Sequence, residues 1–357
     1  MTSKERVLAA VNHVQPDRAP IDMPLAPEVR RALEARLGLS GQALEDWIGQ
    51  DFAFVGPRFK HAASDICYAD PTIEVTAEGH YLDVWRVPFK VVRTEFQTYV
   101  DLAGRPPLAA CESIEDLDRF PWPSPDAWDY SNIPGDLKAN RDKATWGHSR
   151  GFFEIAHFMR GMEHFLPDLA LRPDVAGALM DHIAGYLLER SRRILEAGRG
   201  GFTVFEYNDD VASQNTLFIS PGMWREHIKP RMARFCRLIH EHGAKVRYHC
   251  CGSARAILPD LIEIGVDILN PVQPLAAGMD PFELKAAFGD RLTLHGGIDI
   301  QNLLPHGSPE EVASATRRMI SVVGKNGGYI VGGSHVIQAD APVENVVAMI
   351  QEARRPV

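Results

Sequence analysis

No apolar run in this 357-residue chain approaches the roughly 20 residues that a bilayer-spanning helix needs, so no membrane span is expected. Positive charge is also short. The chain has 38 Lys and Arg against 47 Asp and Glu, a formal net charge of −9 that is spread along its length. That balance argues against nucleic acid or an anionic membrane as the main partner. Cysteine is scarce and odd in number, five, and the adjacent Cys250 and Cys251 cannot readily bridge each other, which suits a reducing compartment. A secretory signal is missing, because Thr2 and Glu5 have capping-box spacing and the apolar run near Val7 is short. The opening therefore reads as a first helix of a soluble, cytoplasmic protein. No Gly-x-Gly-x-x-Gly turn follows an early apolar run, which weighs against a dinucleotide-binding, doubly wound sheet.

What is present is a rhythm. From about residue 140, short β-branched or apolar runs alternate with long amphipathic stretches that end in glycine, the pattern of successive βα units. The runs are 144–146, 202–205, 245–248, 267–269, 292–294 and 329–331, and two earlier ones at 19–22 and 52–55 bring the total to eight. Eight units point to a single α/β domain over 1–357, a (β/α)8 barrel with an N-terminal helical extension; an open, doubly wound sheet is the competitor. Residues 72–105 break the rhythm with period-2 alternation around Glu78-Gly79 and read as a small inserted antiparallel β meander.

In a parallel barrel the chemistry sits at the carboxyl ends of the strands. The residues that follow the runs here are unusually polar: Asp22, Arg58, His148, Glu206 to Asp210, His249 to Ser253, Asn270 with Gln273, His295 to Asp299, and Ser334-His335. Strand alternation puts His249 and Cys251 on one side and Cys250 on the other. One imidazole and one thiol make half a zinc site, and His335 is the best candidate for a third ligand. Glu206 or Asp210 would complete the set or hydrogen-bond a ligating imidazole. The competing reading is structural: a strand-end His and two Cys are often buried side chains, Asp209 and Asp210 can cap a helix, and His295 can hold a loop. Cys67, Cys111, Cys236 and Cys250 read as packing residues, and His240 and His242 as a helix end.

The segments 217–231, His249-Cys250-Cys251-Gly252-Ser253, 258–273 and His295-Gly296-Gly297-Ile298-Asp299, with the opening 4–20, resemble the uroporphyrinogen decarboxylase superfamily. The resemblance implies a TIM barrel and two branches of activity. One is decarboxylation in tetrapyrrole synthesis; the other is zinc-dependent methyl transfer between a corrinoid protein and a small molecule. Decarboxylases carry an arginine-rich loop for the substrate carboxylates where this chain reads Asp22-Met23-Pro24-Leu25, and an aspartate repels what an arginine pairs. The methyltransferase branch binds zinc through His-x-Cys and a distant Cys; His249 and Cys251 match, and His335 stands where that last Cys would be. Zinc with two His and one thiolate keeps a positive charge and is the stronger Lewis acid, favouring an oxygen substrate such as a methoxylated molecule. The resemblance thus implies a methyltransferase with zinc on His249, Cys251 and His335. Glu206, Asp210 and His295 would be catalytic, and Asp22, His148, Asn208, Asn270 and Gln273 substrate-binding. A corrinoid partner and a homodimer are further expectations. A metal-free decarboxylase and a non-catalytic corrinoid- or tetrapyrrole-binding barrel are the alternatives.

Overall fold

A computed structural model describes residues 1–94 and 98–356. Among them, seven strands form one parallel sheet in chain order: Phe52–Phe54, Ala144–Arg150, Val204–Asn208, Lys245–His249, Ile268–Val272, Thr293–Ile298 and Tyr329–Gly333. Helices between the strands cover the outer face, so the central strands are buried on both sides and rich in apolar residues; every residue of Thr293–Ile298 is buried, whereas Phe54 on the first strand is exposed. The result is an α/β fold with a curled parallel sheet of the TIM-like kind.

The strand expected at 19–22 is reduced to one bridged residue, Ile21, parallel to Val331. Hydrogen bonds nonetheless reach both neighbours. Val331 N–H donates to Pro20 O at 2.8 Å, Asp22 N–H to Val331 O at 3.0 Å, and Asp51 N–H to Ile21 O at 2.9 Å. Pro20 has no N–H to give, which keeps a longer ladder from forming.

The first helix, Ser3–Val11, begins in the Thr2/Glu5 capping box. Its Val7 and Val11 pack against Phe52, Ala144, Val204, Ile268 and Ile330, at the amino ends of the strands. That end is closed by apolar side chains, which leaves the opposite end for polar chemistry. Strands Thr72–Val75, Tyr81–Asp83, Pro88–Arg93 and Thr98–Leu102 form a separate antiparallel sheet in sequential order; residues 95–97 of the expected meander lie outside the described residues.

Candidate metal centre and its cavity

His249 ends the strand Lys245–His249, and two residues on, Cys251 brings its thiol back beside it. The turn demands Gly252: its φ is +81°, and a Cβ there would lie 2.3 Å from the Ser213 carbonyl oxygen. His335 arrives from just beyond the strand Tyr329–Gly333. One donor atom from each of His249, Cys251 and His335 lies within 4.8 Å of the others, and Cys251 Sγ is 3.8 Å from His249 Nε2. Ligand atoms bonded tetrahedrally to zinc at about 2.0–2.3 Å sit roughly 3.5 Å apart, so the cluster is only slightly wider than a loaded site. Cys250 is fully buried and outside the cluster.

The donor chemistry fits a divalent metal. His249 Nδ1 is 2.8 Å from Asn270 Oδ1, an acceptor, which fixes the proton on Nδ1 and leaves the Nε2 lone pair facing the cluster. Burial and then the like-charge effect of the neighbouring His249 outweigh Asp210 and lower the His335 pKa, which favours the neutral, ligating ring. Burial, reinforced by Asp210, pushes the Cys251 thiol far up, so a thiolate there needs a cation to accompany it. Asp210 Oδ1 accepts the Cys251 backbone N–H at 2.7 Å, and Gln273 Oε1 accepts that of Gly252 at 2.9 Å. Replacing Asn270 with alanine frees the imidazole to rotate and should weaken zinc binding about 10- to 100-fold, measured by competition with a chromophoric chelator.

The cluster opens on a cavity of about 340 Å³. On its floor Arg247 is held between Asp22 at 3.0 Å and Glu206 at 2.6 Å, with its guanidinium 4.2 Å from the Trp146 ring centre. Burial raises the Glu206 pKa, but Arg247 and the nearby histidines outweigh it and hold the carboxyl below its ordinary value. His295 Nε2 lies 3.5 Å from Asp22; burial outweighs that carboxylate and lowers the imidazole to about 4, so it is neutral at pH 7. On the wall Arg150 pairs with Asp70 at 2.9 Å and Glu154 at 3.0 Å, and Tyr68 covers it.

Asp22, Glu206, Asn208, Asp210, Asn270 and His295 therefore line the same cavity as His249 and His335. His148 does not; it lies opposite Glu206 on the adjacent strand, while Trp146 and Arg150 on either side of it reach the cavity. Gln273 lines a smaller neighbouring cavity of about 160 Å³ that shares His335. The group oriented to the His249 ring is Asn270 and not a carboxylate, because Glu206 is committed to Arg247. Asp209 is structural: it accepts the backbone N–H groups of Phe153 and Glu154 and the Tyr207 hydroxyl, capping the helix Phe152–Arg160. Cys67, read as a packing residue, is exposed.

The reading of the sequence missed Arg150, Glu154, Arg247, Tyr68 and Trp146. Arg247 carried a usable signal, since it precedes His249 by two residues and so shares its face of the strand. Away from the cluster, burial and then Arg150 lower the His157 pKa to about 4. The unfolded chain binds that proton near pH 6.5 and the folded chain does not, so stability is full above about 6.5 and falls as pH drops toward 4. Replacing His157 with Gln should flatten the pH dependence of urea unfolding in that window by roughly 1.4 kcal/mol per pH unit.

The fold and the site together define a TIM-like α/β protein with a candidate His–Cys–His metal centre at the carboxyl ends of its strands. The family model for uroporphyrinogen decarboxylase (URO-D) matches residues 137–356, and the chain belongs to that family. It is 24% identical over 203 residues to a methylated-thiol--coenzyme M methyltransferase of Methanosarcina mazei, covering 57% of this chain and 50% of that protein. It is 23% identical over 214 residues to the methylcobamide:CoM methyltransferase MtaA of Methanosarcina barkeri, covering 60% and 58%. The chain thus spans between half and three fifths of the length of these curated relatives. A solved methyltransferase from Methanosarcina mazei shares the fold, with a TM-score of 0.65, 19% identity, and coverage of 99% of this chain and 98% of that one.

Proposed function

We propose that this protein is a zinc-dependent methyltransferase that moves a methyl group between a corrinoid on a partner protein and a small molecule, the whole chain acting as one domain. The Ile21 segment is read as the eighth position of the barrel. The observation that carries the function is the convergence of His249, Cys251 and His335 at the edge of a cavity lined by charged side chains. The names of both curated relatives support it. His249, Cys251 and His335 would hold the metal, which when bound supplies Lewis acidity at an open position.

The protein's own residues supply the rest. Because the methyl group moves without its bonding pair, a small-molecule heteroatom that accepts it gives up a proton, and one that loses it takes a proton up. Asp210 is the carboxylate suited to receive or return that proton, because it sits beside Cys251 with no cationic side chain within 4.0 Å among the described residues. Glu206 is less suited, being tied to Arg247. Asn270 holds the His249 tautomer, and Asn208 offers an amide for orienting the substrate. A neutral His295 offers one ring N–H or lone pair without adding charge.

Incubating the purified protein with methylcobalamin and a panel of thiols and phenols tests this. The expected result is loss of the methyl–cobalt absorbance with formation of the methylated acceptor, abolished by a zinc chelator. Chelator-insensitive decarboxylation of uroporphyrinogen, or no turnover of either kind, would contradict it.

A further inference from the structure

We infer that the small-molecule substrate of this cavity carries no negative charge, so that neutral and cationic molecules enter and carboxylates and sulfonates are turned away. The inference rests on the cavity beside the metal cluster being the substrate site. Six charged side chains line it, four acidic (Asp22, Glu154, Glu206, Asp210) and two basic (Arg150, Arg247). Neither guanidinium is available to an anion. Arg247 is clamped by Asp22 and Glu206, and Arg150 by Asp70 and Glu154, with Asp83 at 3.9 Å. Each arginine is thus outnumbered at least two to one by its own carboxylates, and each clamp keeps a surplus negative charge.

The metal cluster does not reverse that sign. A divalent ion with one thiolate contributes one positive charge, and Asp210 beside it cancels that charge. The imidazoles that would hold the metal bring no charge of their own, and burial keeps His295 neutral at pH 7. The surplus shows in the neighbours: burial and then Asp70 raise the Asp83 carboxyl to about 7, and burial and Asp210 raise that of Glu154 against the pull of Arg150. An anionic substrate would have to break a clamp, leaving a buried carboxylate unpaired, or lie against uncompensated carboxylates.

A series of thiols alike except for terminal charge isolates this effect. The zinc-loaded protein is titrated calorimetrically with 2-aminoethanethiol, 2-mercaptoethanol and 2-mercaptoethanesulfonate, and zinc content is measured on the same sample. The amine and the alcohol should bind at least about 10-fold more tightly than the sulfonate. Glu154→Gln, which removes one surplus charge, should narrow that ratio. Binding of the sulfonate as tightly as the others, or no binding by any of the three, overturns the inference while the zinc reading stands. A sample that takes up no zinc overturns the methyltransferase reading instead, and this inference with it.

Discussion

Replacing His249 or Cys251 with alanine should weaken zinc binding by about 100- to 1,000-fold and abolish methyl transfer, with the fold retained. Both side chains are only half-buried at the cavity edge, so neither carries much of the core. Cys250 provides the contrast one residue away. It is fully buried in the main apolar core, and its thiol donates to the Cys251 carbonyl at 3.3 Å. Cys250→Ala should keep zinc and activity while costing about 1 kcal/mol or slightly more in stability, the loss expected for trimming a small buried side chain. Zinc competition and urea unfolding on the three variants separate the two roles. A Cys250 variant that loses metal while a Cys251 variant keeps it would reverse the assignment.

Arg247→Ala should be the most destabilising single change in the cavity, by about 3–5 kcal/mol. The arginine is 3% exposed and faces Glu206 at 8% and Asp22 at 14%, so its loss leaves two carboxylates buried beside each other without a counter-charge. It also removes the guanidinium packed on Trp146. The two acids would take up a proton to relieve the repulsion, so the deficit should shrink at low pH. Arg247→Lys should recover part of the loss, because a single ammonium cannot serve both acids with the geometry of a planar fork. Thermal or urea unfolding at pH 7 and pH 5 checks both the size and the pH trend; equal stability of wild type and Arg247→Ala would remove the clamp from the account.

Much of this arrangement is legible in the sequence because it is local. Glycine-terminated helices, capping residues and short buried runs mark the βα units, and seven of the eight expected runs are strands. The eighth fails at Pro20, where a missing N–H limits pairing to one residue. Likewise, His249 and Cys251 fall together through strand periodicity and the tight turn at Gly252. What periodicity does not carry is pairing between distant segments. Arg247 meets Asp22 across 225 positions of chain and Arg150 meets Asp70 across 80. No spacing rule announces either pairing, so the arginine clamps are not legible in the sequence, and Glu206 and Asp22 read from it only as catalytic or binding groups. Nor does periodicity say how far a cavity reaches: His148 shares a strand face with Trp146 and Arg150, which line the cavity while it does not.

The central claim is that His249, Cys251 and His335 bind one zinc ion, and X-ray absorption at the zinc edge on protein purified without chelator tests it most directly. The account predicts about one zinc per chain, with one sulfur near 2.3 Å and two imidazole nitrogens near 2.0–2.1 Å, and loss of one nitrogen in His335→Ala. Absence of zinc after growth in supplemented medium, a first shell without sulfur, or a spectrum unchanged by His335→Ala would contradict it.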